Sequence, residues 1–219
     1  MTKKIILIIF LTLIQKFAFA ELIYVSNEKD HNMSVIDGDS LEVIKTVKVG
    51  HRPRGIILSK DKKKIIICTS DDNRIAVVDV ASLEVEYYLP SGPDPELIVM
   101  DAAGKFIYVA NEDDNMVTVV DYIGKKIVKE IPVGVEPEGM GLSPDGKTLV
   151  NTSETTNMAH FIDTSTLEIK ANVLVDARPR VAQYTSDGKF VWVSSEIGGT
   201  ISIIDPVKFE IIKKIEFNI

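Results

Sequence analysis

Cysteine is almost missing from this 219-residue chain, and Cys68 stands alone. No intramolecular disulfide can therefore form, whatever the redox state of the compartment. Its setting, Ile65-Ile66-Ile67-Cys68, predicts a buried, inert thiol. The same scarcity removes any C-x-x-C-H haem attachment or C-x-x-C metal knuckle. Positive charge is also short, with 25 Lys and Arg against 32 Asp and Glu. Helical 3.6-residue periodicity is absent, which excludes a helical solenoid. The apolar run Ile5 to Ile14 holds ten residues, too few for a bilayer, which takes about 20.

That short run has another reading. Lys3 and Lys4 precede it and Ala18-Phe19-Ala20 follows it, the layout of a secretory signal peptide cleaved after Ala20. The alternative is an uncleaved anchor. No cysteine follows the cleavage site to carry a lipid. Residues 1–20 are thus expected to be removed, leaving 21–219 as a periplasmic protein without stable membrane insertion. The exported part keeps 22 basic and 32 acidic residues, a net charge of −10. Such a balance argues against nucleic acid and anionic membrane surfaces as partners.

What the chain does contain is a repeat of 42 residues. Asp37, Asp79, Asp121, Asp163 and Asp205 are evenly spaced at that interval, as are Pro53, Pro95, Pro137 and Pro179. Gly50, Gly92 and Gly134 keep the same phase, which continues at Asp176 and Asn218. A period in the low forties built of short strands is the signature of a β-propeller blade. One repeat reads as four strands: Glu138 to Ser143, Thr148 to Ser153, Ala159 to Asp163 and Glu168 to Val175. Ser143-Pro144-Asp145-Gly146-Lys147 forms the hairpin between the first two. Each periodic Asp should bond the amides of the turn that follows it. The Gly, Gly, Gly, Asp, Asn series is expected to supply left-handed backbone. The expected fold is all-β, a propeller of four-stranded antiparallel blades, with about five blades present. The exported chain opens on a second strand, Ile23 to Asn27, so its first blade lacks an innermost strand. At about 4.7 repeats, within a range of typically 4–8 blades, the ring is expected to be incomplete.

Ile107-Tyr108-Val109-Ala110-Asn111, Val117 to Asp121, Ile131-Pro132-Val133-Gly134 and Ser143 to Lys147 resemble the YVTN β-propeller repeat. Further segments are similar to one subgroup, the periplasmic propeller associated with PQQ-dependent catabolism. They are Tyr24 to Glu28, Arg52-Pro53-Arg54-Gly55, Ser91 to Glu96, Val135 to Met140, Asn151 to His160 and Ser194 to Thr200. The resemblance implies an accessory protein of quinoprotein alcohol oxidation with no established catalytic residues. It implies PQQ association only, with no cofactor of the chain's own. It also implies about seven blades, so this chain departs from the pattern and looks truncated by about two.

Two sets of residues could carry chemistry. Glu28, Glu112, Glu154 and Glu196, with Ser70 in the same series, follow each second strand and suggest a cation crown. Packed sheets lie about 10 Å apart, so neighbouring members should be too distant to share an ion, and no metal site is assigned. The second set flanks the prolines near the channel mouth: Arg52 and Arg54, Asp94 and Glu96, Glu136 and Glu138, Arg178 and Arg180. Its sign changes between repeats, basic blades flanking acidic ones, so repeat structure alone does not dictate it. It reads as a site for a periplasmic protein partner or small anionic ligand, or as a self-satisfied ion-pair network. His160 reads as a buried, hydrogen-bonded histidine. The expected function is an exported, non-enzymatic binding or scaffold propeller accessory to PQQ-dependent alcohol oxidation. A lactonase-like hydrolase and a surface-layer or adhesion module are the alternatives.

Overall fold

A computed structural model describes residues 21–217. The signal peptide expected at 1–20 lies outside the described residues. The chain forms an all-β propeller of consecutive antiparallel blades. The first blade has three strands, β1 (Leu22–Asn27), β2 (Asn32–Asp37) and β3 (Val43–Lys48). The second comprises β4 (Pro53–Leu58), β5 (Lys64–Thr69), β6 (Arg74–Asp79) and β7 (Val85–Pro90). The third comprises β8 (Pro95–Met100), β9 (Phe106–Asn111), β10 (Met116–Asp121) and β11 (Lys126–Pro132). The fourth comprises β12 (Pro137–Leu142), β13 (Thr148–Ser153), β14 (Met158–Asp163) and β15 (Glu168–Leu174). The fifth comprises β16 (Pro179–Tyr184), β17 (Val191–Ser195), β18 (Thr200–Asp205) and β19 (Glu210–Glu216). No described helix is long and apolar enough to cross a membrane.

The hydrophobic core lies between blades. Ile65 and Ile67 pack into a cluster with Met33 and Val35 of the first blade. Ile66 points the other way, into a cluster with Ile98 and Val109 of the third. Successive side chains leave opposite faces of a strand, and both faces of a middle blade are covered, which explains runs of consecutive apolar residues. Cys68 belongs to the same inter-blade cluster and is buried, and burial pushes its thiol pKa up. In the fifth blade, β17 returns to a buried and exposed alternation, with Trp192 and Val181 exposed.

The periodic aspartates act as turn caps. Asp37 Oδ1 accepts from the amides of Asp39 and Ser40 at 3.0 and 2.8 Å. Asp79, Asp121, Asp163 and Asp205 each take the two equivalent amides. Left-handed backbone recurs with the repeat as well, at Leu41, Leu83, Lys125, Leu167 and Phe209 and at His31, Asn73, Asn115, Asn157 and Gly199.

The glycine series is a correction. Among its described members Gly50 alone has positive φ, at 145°; Gly92, Gly134 and Asp176 do not, and Asn218 lies outside the described residues. Gly92 and Gly134 are required by space: a Cβ on Gly134 would lie 2.1 Å from Thr156 Oγ1. The left-handed position falls two residues later, at Arg52 (48°), Asp94 (48°), Glu136 (58°) and Arg178 (59°).

Candidate functional site

Those four left-handed residues lead into the inner strands β4, β8, β12 and β16. A left-handed conformation costs an ordinary residue about 1–2 kcal/mol, so something must hold them. Each is clamped from two sides. The amides of Asp94, Glu136 and Arg178 donate to Oδ1 of Asn73, Asn115 and Asn157 of the preceding blade, at 3.0, 3.1 and 3.1 Å. The Arg52 amide donates to His31 Nδ1 at 2.9 Å. Their carbonyls accept from the amides of Ser70, Glu112, Glu154 and Glu196. The second clamp sets the turn after each second strand beside the mouth.

The two predicted sets are therefore one site. The sequence-based spacing compared equivalent residues on neighbouring blades and so kept the sets apart. Long arginines bridge the gap. Arg52 contacts Glu28 at 3.0 Å, Asp94 at 2.7 Å and Glu96 at 3.1 Å. Arg54 contacts Glu28 at 3.1 Å, Glu138 at 3.0 Å and also Glu96. Arg178 pairs with Glu154 at 2.7 Å and Glu196 at 3.4 Å. Arg180 reaches Glu138 at 3.5 Å, Glu196 at 3.6 Å and also Glu154. Glu138 touches one arginine from the second blade and one from the fifth, closing the lattice across the mouth. Glu136 instead accepts from the Thr155 hydroxyl.

Eight carboxylates share four guanidinium groups, and the imbalance settles on the third blade. Asp94, Glu96 and Glu112 bring carboxylate oxygens within 4.8 Å of one another, and Glu112 makes no ion pair among the described residues. Burial, with Glu138 next, pushes Glu96 up to about 9, outweighing Arg54 and Arg52. Burial raises Glu138 despite Arg180 and Arg54, and raises Glu112, with Asp94 and Glu154 adding to it. Arg52 draws Glu28 down. Desolvation, with like charges beside it, raises the first three, and an opposite charge lowers Glu28. The trio's all-oxygen donor set could hold a hard cation.

At the far ends of the inner strands the channel carries no carboxylate among the described residues, and Lys60 is its one charged lining residue there. A cavity of about 420 Å³ there is lined by Ile57, Val99, Met140 and Gln183, one from each inner strand. His160 does not line that cavity. Its Nε2 accepts the Gly134 amide at 3.0 Å and faces Ser153 Oγ at 3.0 Å, while Nδ1 faces Asn172 Oδ1 at 2.7 Å. Burial lowers its pKa, keeping the ring neutral. His51 Nδ1 pairs with Asp72 at 2.8 Å. His51 and His31 line an open cavity of about 470 Å³ with Asp30, Lys48, Asp72 and Arg74.

Comparison with known proteins gives three findings. Residues 64–183 match the family model described as the cytochrome D1 heme domain. The fold is similar to a chain of Kuenenia stuttgartiensis hydrazine synthase, with a TM-score of 0.77 and 24% identity. The alignment covers 84% of this chain and 59% of that one. No curated protein sequence matches.

Proposed function

Because the chain belongs to the cytochrome D1 heme domain family, whose matched model covers 64–183, we propose that it is a binding propeller of that family and not a catalyst. The single observation that carries this reading is the arginine–carboxylate lattice at the channel mouth. Its arginines are already committed to carboxylates, and carboxylates outnumber them. A small anion would have to displace those carboxylates, so the mouth suits a protein partner presenting cationic side chains. The finer reading, an exported accessory of PQQ-dependent alcohol oxidation, is supported by the resemblance of the inter-strand segments, Arg52 to Gly55 and Asn151 to His160 among them. In that role the chain would dock an enzyme, since PQQ is itself a polycarboxylate and meets the wrong charge at this mouth.

The heme in the family's description calls for an axial donor and an apolar slot for the macrocycle. His160 has both nitrogens engaged. His31 and His51 open onto a rim lined by charged groups, and the mouth is filled by ion pairs. These residues do not fit a heme, and no chemical step is assigned through one.

One observation favours a second reading, a metal-dependent lactonase-like hydrolase: the oxygen cluster of Asp94, Glu96 and Glu112. In such an enzyme a metal-bound water, not a side chain, would be the nucleophile. The Ser70 hydroxyl donates to the Pro95 carbonyl at 2.6 Å, and the Cys68 thiol is buried in the core.

Crosslinking of the exported protein in its native periplasm tests the proposal. A quinoprotein dehydrogenase captured by the wild type and lost from the Glu136→Lys/Glu138→Lys variant is the expected result. Capture unchanged by that charge reversal overturns the docking surface. Lactone turnover that needs added divalent metal and disappears in Glu112→Gln overturns the non-catalytic reading.

A further inference from the structure

Where the outer strand of one blade hands over to the next, one residue faces one residue of the following blade's turn. Gly50 faces Asp72, Gly92 faces Asp114, Gly134 faces Thr156, and Asp176 faces Gly198. A Cβ on Gly50 would stand 2.6 Å from Asp72 Oδ2, and one on Gly198 would stand 2.6 Å from Asp176 Cβ. Each socket thus admits a single oxygen-bearing side chain, supplied from either side, with glycine opposite.

What satisfies that oxygen differs from blade to blade. In the second blade Asp72 receives the His51 amide at 2.9 Å, the His51 ring at 2.8 Å and Arg74 at 3.4 Å. In the fifth, Asp176 receives Lys214 Nζ and Thr200 Oγ1, both at 2.7 Å. The fourth blade carries the uncharged Thr156, whose Oγ1 also has no hydrogen-bond partner but bears no charge to compensate. In the third blade the positions of His51, Arg74 and Lys214 are held by Pro93, Met116 and Glu130, none of which brings a cation. Among the described residues no cation reaches Asp114, and its Oδ1 has no hydrogen-bond partner of good geometry, though the nearby Met116 amide acts to lower its pKa.

A second oxygen points into the same space. Asn111 is fully buried and its Oδ1 has no partner. Its Nδ2 donates to Ser91 Oγ at 2.9 Å, which turns the carbonyl oxygen towards the socket. Asn111 Oδ1 and Asp114 Oδ2 lie 3.1 and 2.9 Å from one point, the place a Cβ on Gly92 would take.

We propose that the third-blade socket binds a hard divalent cation, calcium being the fitting ion, through Asp114 and Asn111 with Glu130 at its rim. The donors are all oxygen, which selects calcium-like ions over soft metals. The cation would do in this blade what Arg74 does in the second and Lys214 in the fifth. Burial and the charge of Glu130 raise the Asp114 pKa, the direction expected of a carboxylate lacking a counter-ion. This inference does not rest on the docking role of the mouth.

Calorimetric titration of chelator-stripped protein with calcium chloride, paired with thermal melts, tests it. One saturable site is expected, in the roughly 0.1–1 mM range of extracellular modules, with a calcium-dependent rise in Tm. Asp114→Asn should weaken binding about tenfold or more, since affinity follows ligand charge. Met116→Arg should abolish the calcium response and raise the Tm of the stripped protein, by supplying the second blade's guanidinium. No heat up to about 10 mM calcium overturns the site; Asp114 would then be satisfied by a proton or by the opposite orientation of the Asn111 amide. Binding lost in Glu112→Gln but kept in Asp114→Asn places the ion at the mouth, and equally overturns it.

Discussion

The backbone amide of Arg52 donates to Nδ1 of His31 across 2.9 Å, the link that Asn73, Asn115 and Asn157 make to the next three blades through an amide oxygen. Histidine here does an asparagine's work, in the same left-handed backbone. His31→Asn should therefore leave the urea midpoint unchanged. His31→Ala removes the acceptor and should cost about 1 kcal/mol. Equal losses in both variants would show that the ring, not the hydrogen bond, matters.

The Glu96 carboxyl gives a pH signature with a definite sign. Folded, it holds its proton up to about 9, against an ordinary value of 4.5. Between those values the folded state binds more protons than the unfolded state, so stability falls as pH rises. Glu96→Gln carries no titrating group and should flatten that decline. Urea unfolding of both proteins at pH 5, 7 and 9 is the check, the wild type losing at most about 1.4 kcal/mol per unit relative to the variant. Parallel curves would show that the arginines keep Glu96 ionised.

Glu138 ties Arg54 to Arg180 across the mouth, and both Arg54 and Glu138 are largely enclosed. Removing one partner of such a pair leaves the other uncompensated, at a cost of about 3 kcal/mol. Arg54→Gln should show that loss. Arg54→Gln/Glu138→Gln should recover part of it, because the stranded charge goes too. A double variant no better than the sum of the singles would mean the two are not coupled.

The inter-blade sockets predict a compensating pair. Gly92→Asp sets a second side chain where Asn111 Cγ and Asp114 Oδ2 would lie 2.9 Å from its Cβ, and should destabilise by about 1–3 kcal/mol. Adding Asp114→Gly removes the contact with Asp114 and should restore part of the loss, the Asn111 contact remaining and no cation standing where Lys214 serves Asp176. Thermal melts decide it; failure of the second change to rescue would disprove the exchange.

The fold was legible because the 42-residue period repeats the same local instructions: an aspartate at the end of each third strand, a turn after it, a proline opening each inner strand. The strand Thr148–Ser153 is predicted and found with the same limits. Among the described residues the first blade has three strands, as expected. The site was legible by residue but not by arrangement. Spacing places Glu154 and Arg178 in different loops, and the Arg178 amide donating to Asn157 Oδ1 brings those loops together. The sequence did hold one unread signal. His31, Asn73, Asn115, Asn157 and Gly199 keep the repeat interval, and residues tolerant of left-handed backbone in that rhythm mark the clamp. The glycine series misled because Gly serves two needs, unusual φ and small size, and at 92 and 134 only size applies.

The clamp on residues 52, 94, 136 and 178 has an evolutionary consequence. Backbone groups alone, amide on one side and carbonyl on the other, hold these positions in place. Their side chains are thereby freed from holding the left-handed backbone, so arginine, aspartate and glutamate can occupy the same backbone seat. A descendant of this protein can reverse the charge of its mouth without rebuilding the backbone, provided that each change at these seats is matched by one in the residues it pairs with.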